Sequence, residues 1–212
     1  MADKKLVTEQ PPSFHQKLRR LSDWQQLAFA VALAQRSAPN YQLFCEAVDF
    51  GDVAGFNKLL GLLWEAQLSK ASKINWAVQQ EKLPLLQPEP QDYEVYGVYP
   101  ALDAVMALEV AVEQALQADP ESALRASKLS RSTVRQYLEM QCPDDLDDQQ
   151  TAIWLKQQPL MQDENDFQDE LLLQVAAQFQ PHPEQLRLIR DLARNQGVSN
   201  LGICLAEEGG EA

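Results

Sequence analysis

Residues 22–36 read SDWQQLAFAVALAQR, and this stretch decides the fold. Ser22, with Gln25 three residues on, has the spacing of a capping box that starts a helix. In the helix it predicts, Asp23 to Arg36, apolar side chains (Trp24, Leu27, Ala28, Phe29, Val31, Leu33) fall on nearly every side. Such a helix is stable in water only if other helices cover it all round, which places it in the middle of a bundle. Its uninterrupted apolar run, Leu27 to Ala34, falls far short of the roughly 20 residues a bilayer crossing needs.

Working outward, helical periodicity recurs along the chain and strand alternation does not. Upstream, residues 1–12 read as a flexible leader ending in Pro11-Pro12, followed by a short helix from Phe14 to Leu21. Downstream, Pro39-Asn40 predicts a stop and a restart, with a short helix from Tyr41 to Val48. Asp52 can cap a helix to about Ser69, with Phe56, Leu59, Leu60 and Leu63 on one face. Another helix is expected from Ile74 to about Lys82, then a connector punctuated by Pro84, Pro88 and Pro90. Pro100 suits the first position of a helix to about Ala118. Further helices are expected from Asp119-Pro120 to Met140, over Thr151–Gln157, Pro159–Phe179 and Pro183–Gln196. Pro143–Gln150 reads as an acidic linker, and Gly197 as a C-cap. The sum is an all-α, single-domain antiparallel bundle of eight to ten helices over residues 13–205, with a frayed tail at 206–212.

The formal charge of −13, from 31 acids against 18 Lys and Arg, opposes binding to phosphate backbones and anionic membranes. The three cysteines, Cys45, Cys142 and Cys204, lie far apart without a CxxC pair, as expected of buried thiols in a reducing compartment. No apolar signal segment precedes Pro12, so the cytoplasm is the expected location.

The chain's supply of chemistry is thin. Its two histidines, His15 and His182, stand near the leader and between prolines, poor placements for a catalytic triad. Signatures for nucleotide binding, acyl transfer and zinc proteolysis are missing, and neither a metal nor a cofactor is expected. The acids of 144–148 and 163–170 lack the central glycine of a calcium loop and read as solvated linker and helix-start charge. Arg125, Lys128, Arg131 and Arg135 share a helical face and could touch nucleic acid, although the net charge argues against it. Asp103 and Glu109 interrupt an apolar helix, and Glu65 follows Trp64. Glu65 and Asp103 facing one cavity would make a carboxylate-based, possibly metal-dependent site; otherwise Asp103 caps helix-end amides and Glu65 pairs with a cation or a tyrosine hydroxyl. Tyr93-Glu94-Val95-Tyr96-Gly97-Val98-Tyr99-Pro100 sets three tyrosines around a glycine, a composition that suits a binding rim or a bundle end.

Several stretches, in order, resemble one bacterial family. They are Arg20-Leu21…Trp24…Phe29, Pro39-Asn40-Tyr41…Phe44-Cys45…Phe50-Gly51-Asp52, Leu63-Trp64-Glu65, and Tyr96-Gly97-Val98-Tyr99-Pro100-Ala101-Leu102-Asp103-Ala104. Ser127-Lys128…Ser130…Thr133-Val134…Leu138-Glu139-Met140 and Ser199-Asn200-Leu201-Gly202-Ile203 continue the series. Together they are similar to the YjaG-like proteins, a domain of unknown function, over residues 14–205. The resemblance implies an all-helical fold and brings no established catalytic residues. The first expectation for function is an interaction or regulatory protein, with an unknown protein or small molecule as partner and the tyrosine–glycine loop as its surface. Candidate binding residues are Asn40, Tyr41, Trp64, Glu65, Tyr96, Gly97, Tyr99, Asp103 and Asn200. The enzyme alternative rests on Glu65 and Asp103.

Overall fold

The computed structural model describes residues 11–68 and 74–205. The leader's first ten residues, the end of the helix expected to reach Ser69, and the tail from 206 lie outside the described residues. Nine α-helices are described: α1 Phe14–Arg19, α2 Asp23–Val48, α3 Val53–Leu68, α4 Trp76–Gln80, α5 Val98–Leu116, α6 Ser122–Glu139, α7 Asp148–Gln157, α8 Pro159–Ala176 and α9 Pro183–Arg194. Short 3-10 turns occupy Leu83–Leu85, Pro90–Asp92 and Asn195–Gly197. The only strand-like pairing among the described residues is a single bridge between Val198 and Cys204.

α2 is the axis of the bundle, and Ala28 to Ala34 are buried without a break. Gln114 of α5 donates to the Asp23 carbonyl at one end of α2, while Phe44 approaches Gly97 at the other; α5 therefore runs antiparallel to α2. The Tyr41–Phe56 stack and the bond from Trp64 to Gln35 give α3 the same sense. α8 is antiparallel as well, since Gln25 donates to the Val175 and Gln178 carbonyls at its far end. α6 runs parallel to α2, with Gln26 Oε1 accepting from Ala123 N–H at its start. Buried glutamines thus satisfy backbone groups that helix ends leave unpaired.

Several boundaries differ from expectation. α2 passes straight through Pro39, because burial of Asn40, Tyr41, Phe44 and Cys45 in the turns after it outweighs the backbone bond a proline removes. Asn40 and Tyr41 consequently lie inside a helix, nearly or wholly buried. Pro100 is the third helical residue of α5, still within the turn whose N–H groups need no helical acceptor. The acidic linker is shorter than expected, since Asp147 and Gln150 form a capping box that starts α7 early. Asn195, at φ 45°, rather than Gly197, terminates α9. Asp52 caps α3 as expected, its Oδ1 accepting from Gly55 N–H at 2.7 Å.

Candidate functional site: a polar seam and a tyrosine surface

On α6, Ser127, Ser130 and Thr133 recur every three residues and are all buried. A hydroxyl placed there needs a partner, since leaving it unpaired costs about 1–3 kcal/mol. Each finds one. Ser127 Oγ donates to Gln168 Oε1 at 2.6 Å and Ser130 Oγ to Glu164 Oε1 at 2.6 Å, both on α8. Thr133 Oγ1 donates to Asp103 Oδ2 of α5 at 2.7 Å.

Glu164 is the hub of this seam and is fully buried. Its Oε1 also accepts from Gln168 Nε2 at 2.6 Å, and its Oε2 faces Arg36 Nε of α2 at 3.3 Å. Arg36 stacks on the Phe167 ring at 3.9 Å. Burial pulls the Arg36 guanidinium below its usual pKa, and Glu164 opposes that shift. Asn200, in the segment after α9, donates to Ser130 Oγ at 3.1 Å and accepts from Asn40 Nδ2 at 2.9 Å. The other Asn40 amide atom, Oδ1, is buried without a partner among the described residues.

One turn further along α6 the seam reaches the surface. The Tyr96 ring lies 5.9 Å from Tyr99 and 6.2 Å from Tyr137, tilted against both. Tyr99 is 48% exposed. Burial, then the charge of Asp103, then Tyr137 push the Tyr96 hydroxyl up to about 12. Burial lifts the Asp103 carboxyl above its usual range, and the Thr133 bond partly offsets the lift. A half-buried carboxylate close to a group of aromatic rings is chemically suited to a cation.

The sequence-derived candidates divide accordingly. Asn40 meets Asn200 directly, and Tyr96, Tyr99 and Asp103 gather at the surface end. Tyr41 is core, stacked on Phe56 at 4.7 Å, with burial holding its hydroxyl well above the usual pKa. Trp64 is also buried, with Arg190 over its ring. Gly97 precedes α5 in right-handed conformation, and an added Cβ would make only ordinary contact with Phe44. Glu65 does not join Asp103: it is exposed on α3 within electrostatic reach of Arg190 on α9. Glu65 lies toward Arg190 of α9 and Asp103 bonds Thr133 of α6, so the two carboxylates face different helices. Nor does Asp103 cap helix-end amides, since its bond is to Thr133.

The basic stripe is largely neutralised within the molecule. Arg125 bonds Glu113 at 2.7 Å and Arg135 bonds Glu139 at 2.7 Å. Arg131 bonds Asn165 and lies over Phe14. Cys204 is exposed rather than buried, while Cys45 is buried as expected. The acidic cluster on α8 is not wholly solvated as expected, for Glu164 stands buried at its centre. Its signal is positional: Met161, Glu164, Phe167, Leu171 and Val175 make one helical face, all buried. Tyr137 carried no sequence signal, because only the pairing of α5 with α6 brings it to Tyr96.

Residues 13–204 match the family described as "Protein of unknown function (DUF416)". The chain belongs to this family. It is 35% identical over 190 residues to "Uncharacterized protein YjaG" of Escherichia coli K12, covering 89% of this chain and 95% of that one. An "Uncharacterized protein" of Haemophilus influenzae is 32% identical over 191 residues, with the same coverages. The crystal structure of a DUF416 family protein from Shewanella baltica OS155 superposes with a TM-score of 0.87 at 36% identity, covering 92% of this chain and all of the other. Within this DUF416 fold, three of the stretches that carried the resemblance meet: Asn40, Ser130 and Asn200 are joined by hydrogen bonds. Among the described residues no helix is long and apolar enough to cross a membrane, and no group of three or more His, Cys, Asp and Glu is arranged to hold a metal.

Proposed function

We propose that this DUF416 protein is a cytoplasmic interaction protein that receives a basic side chain of a protein partner on its tyrosine surface. The observation carrying this reading is the half-exposed cluster of Tyr96, Tyr99 and Tyr137 close to the Asp103 carboxylate, whose one side-chain hydrogen bond among the described residues comes from Thr133. A lysine or arginine seated there would gain attraction from both the carboxylate and the ring quadrupoles. The net charge of −13 would speed encounter with a basic partner. The free state of all three cysteines supports a reducing compartment.

The test is a photo-crosslinking residue at position 99, used in the host cell. A discrete protein adduct is expected, and it should disappear on Asp103→Asn or Tyr96→Ala with the fold intact by circular dichroism. An adduct indifferent to both substitutions, or none at all, would sink the reading.

A further inference from the structure

A large open cavity lies between the α1–α2 corner and the end of α8. Its volume is about 790 Å³, within the range of roughly 300–1,000 Å³ typical of small-molecule sites. The apolar wall is Leu21, Leu172, Leu173, Ala176 and Phe179. Two of these face water to an unusual degree: Leu173 is 72% and Phe179 is 98% exposed. Apolar side chains left this open beside a cavity mark a place where something apolar is meant to sit.

The polar groups around the cavity decide what kind of molecule fits. Gln25 is committed to the Val175 and Gln178 carbonyls, and the Ser22 hydroxyl to Gln25. Asp169 lies within electrostatic reach of Arg131 on α6. Lys17 and Arg20 remain: both line the cavity, both are exposed, and neither forms a salt bridge among the described residues. They stand beside the apolar wall rather than in it, so a ligand satisfying both must be apolar along its length and anionic at one end.

We infer that this cavity binds a free aliphatic carboxylate, with its chain along Leu172, Leu173, Ala176 and Phe179 and its head between Lys17 and Arg20. The site is separate from the tyrosine surface, and neither reading depends on the other. Trp24 offers a built-in reporter, because its indole N–H donates to the Phe179 carbonyl at 3.0 Å.

Dodecanoate, dodecanol and dodecyltrimethylammonium, each below its micelle concentration, are titrated against the full-length protein by calorimetry and tryptophan fluorescence. Dodecanoate should bind at one site at least tenfold more tightly than the alcohol, with the cation weakest. The double change Lys17→Glu and Arg20→Glu should abolish that preference while leaving dodecanol unchanged. Ala176→Trp, at an exposed position, should fill the cavity and remove binding of both without lowering the melting temperature. Equal binding of the three probes, or dodecanoate binding that survives both variants, would overturn the inference.

Discussion

α2 and α6 are both long helices of the same bundle, yet they are held by opposite means. Along α2, Ala28 to Ala34 are buried whichever way they point, and the attraction is non-directional: any neighbour of suitable volume serves. Along α6, Ser127, Ser130 and Thr133 are buried only because Gln168, Glu164 and Asp103 each present an acceptor at 2.6 or 2.7 Å. Turning α6 about its own axis would carry the three hydroxyls away from their acceptors and break all three bonds. The greasy helix therefore supplies cohesion, and the hydroxyl-bearing helix fixes which arrangement of the others is allowed.

The strongest way to break this contrast is at Glu164. Glu164→Ala leaves the Arg36 guanidinium buried without its carboxylate, and a loss of about 3–5 kcal/mol is expected. The double change Arg36→Met and Glu164→Met should recover most of it, since an apolar pair of similar volume is often as stable as the ion pair. Urea denaturation of the parent, the single changes Arg36→Met and Glu164→Met, and the double measures the coupling, and simple additivity would show that the two residues do not act together. In the apolar region, Leu33→Ala should cost about 2–5 kcal/mol, whereas Leu33→Met should cost under about 1.5 kcal/mol, because volume there matters more than direction. Thr133→Val is nearly isosteric but removes the donor to Asp103, and about 1 kcal/mol of lost stability is expected.

A smaller effect lies in the pH dependence of the same pair. Burial raises the folded-state pKa of Asp103, so the folded protein binds its proton more tightly than the unfolded chain does. That contribution is present at low pH and is lost as pH rises through the ordinary carboxylate range to the raised folded value. Asp103→Asn should therefore gain stability relative to the parent as pH rises across that interval. A parallel pair of stability–pH curves would contradict the burial argument. The smallest expected change is that of Tyr99→Phe, whose ring is 48% exposed; its melting temperature should match the parent's. Tyr96→Phe, by contrast, should remove a phenol that ionises only near pH 12, visible in ultraviolet titration.

The same contrast explains what was legible in the sequence. The apolar helix announces itself in SDWQQLAFAVALAQR, and local caps such as Ser22–Gln25 and Asp52 are written within four residues. The break expected at Pro39 was misread because a local rule was applied where tertiary burial decides. Partnerships across helices are not local. Nothing near Arg36 indicates that its carboxylate waits 128 residues downstream, and Glu164 looks like one more charge in an acidic run. The usable clue is a matching demand: an arginine on a helix with no polar face requires an acid on another helix's buried face. Asn40 and Asn200 entered the candidate set through their stretches, but their bond depends on the chain's return after α9.

That return has a consequence for how the molecule comes into being on the ribosome. Asn40 waits 160 residues for Asn200, which at about 5–20 residues per second is about 8–32 s of translation. Throughout that interval the apolar axis can already collect its neighbours, while the centre of the seam lacks its final member. A chain released early would carry most of the bundle around a polar interior still missing the residue that joins Asn40 to Ser130.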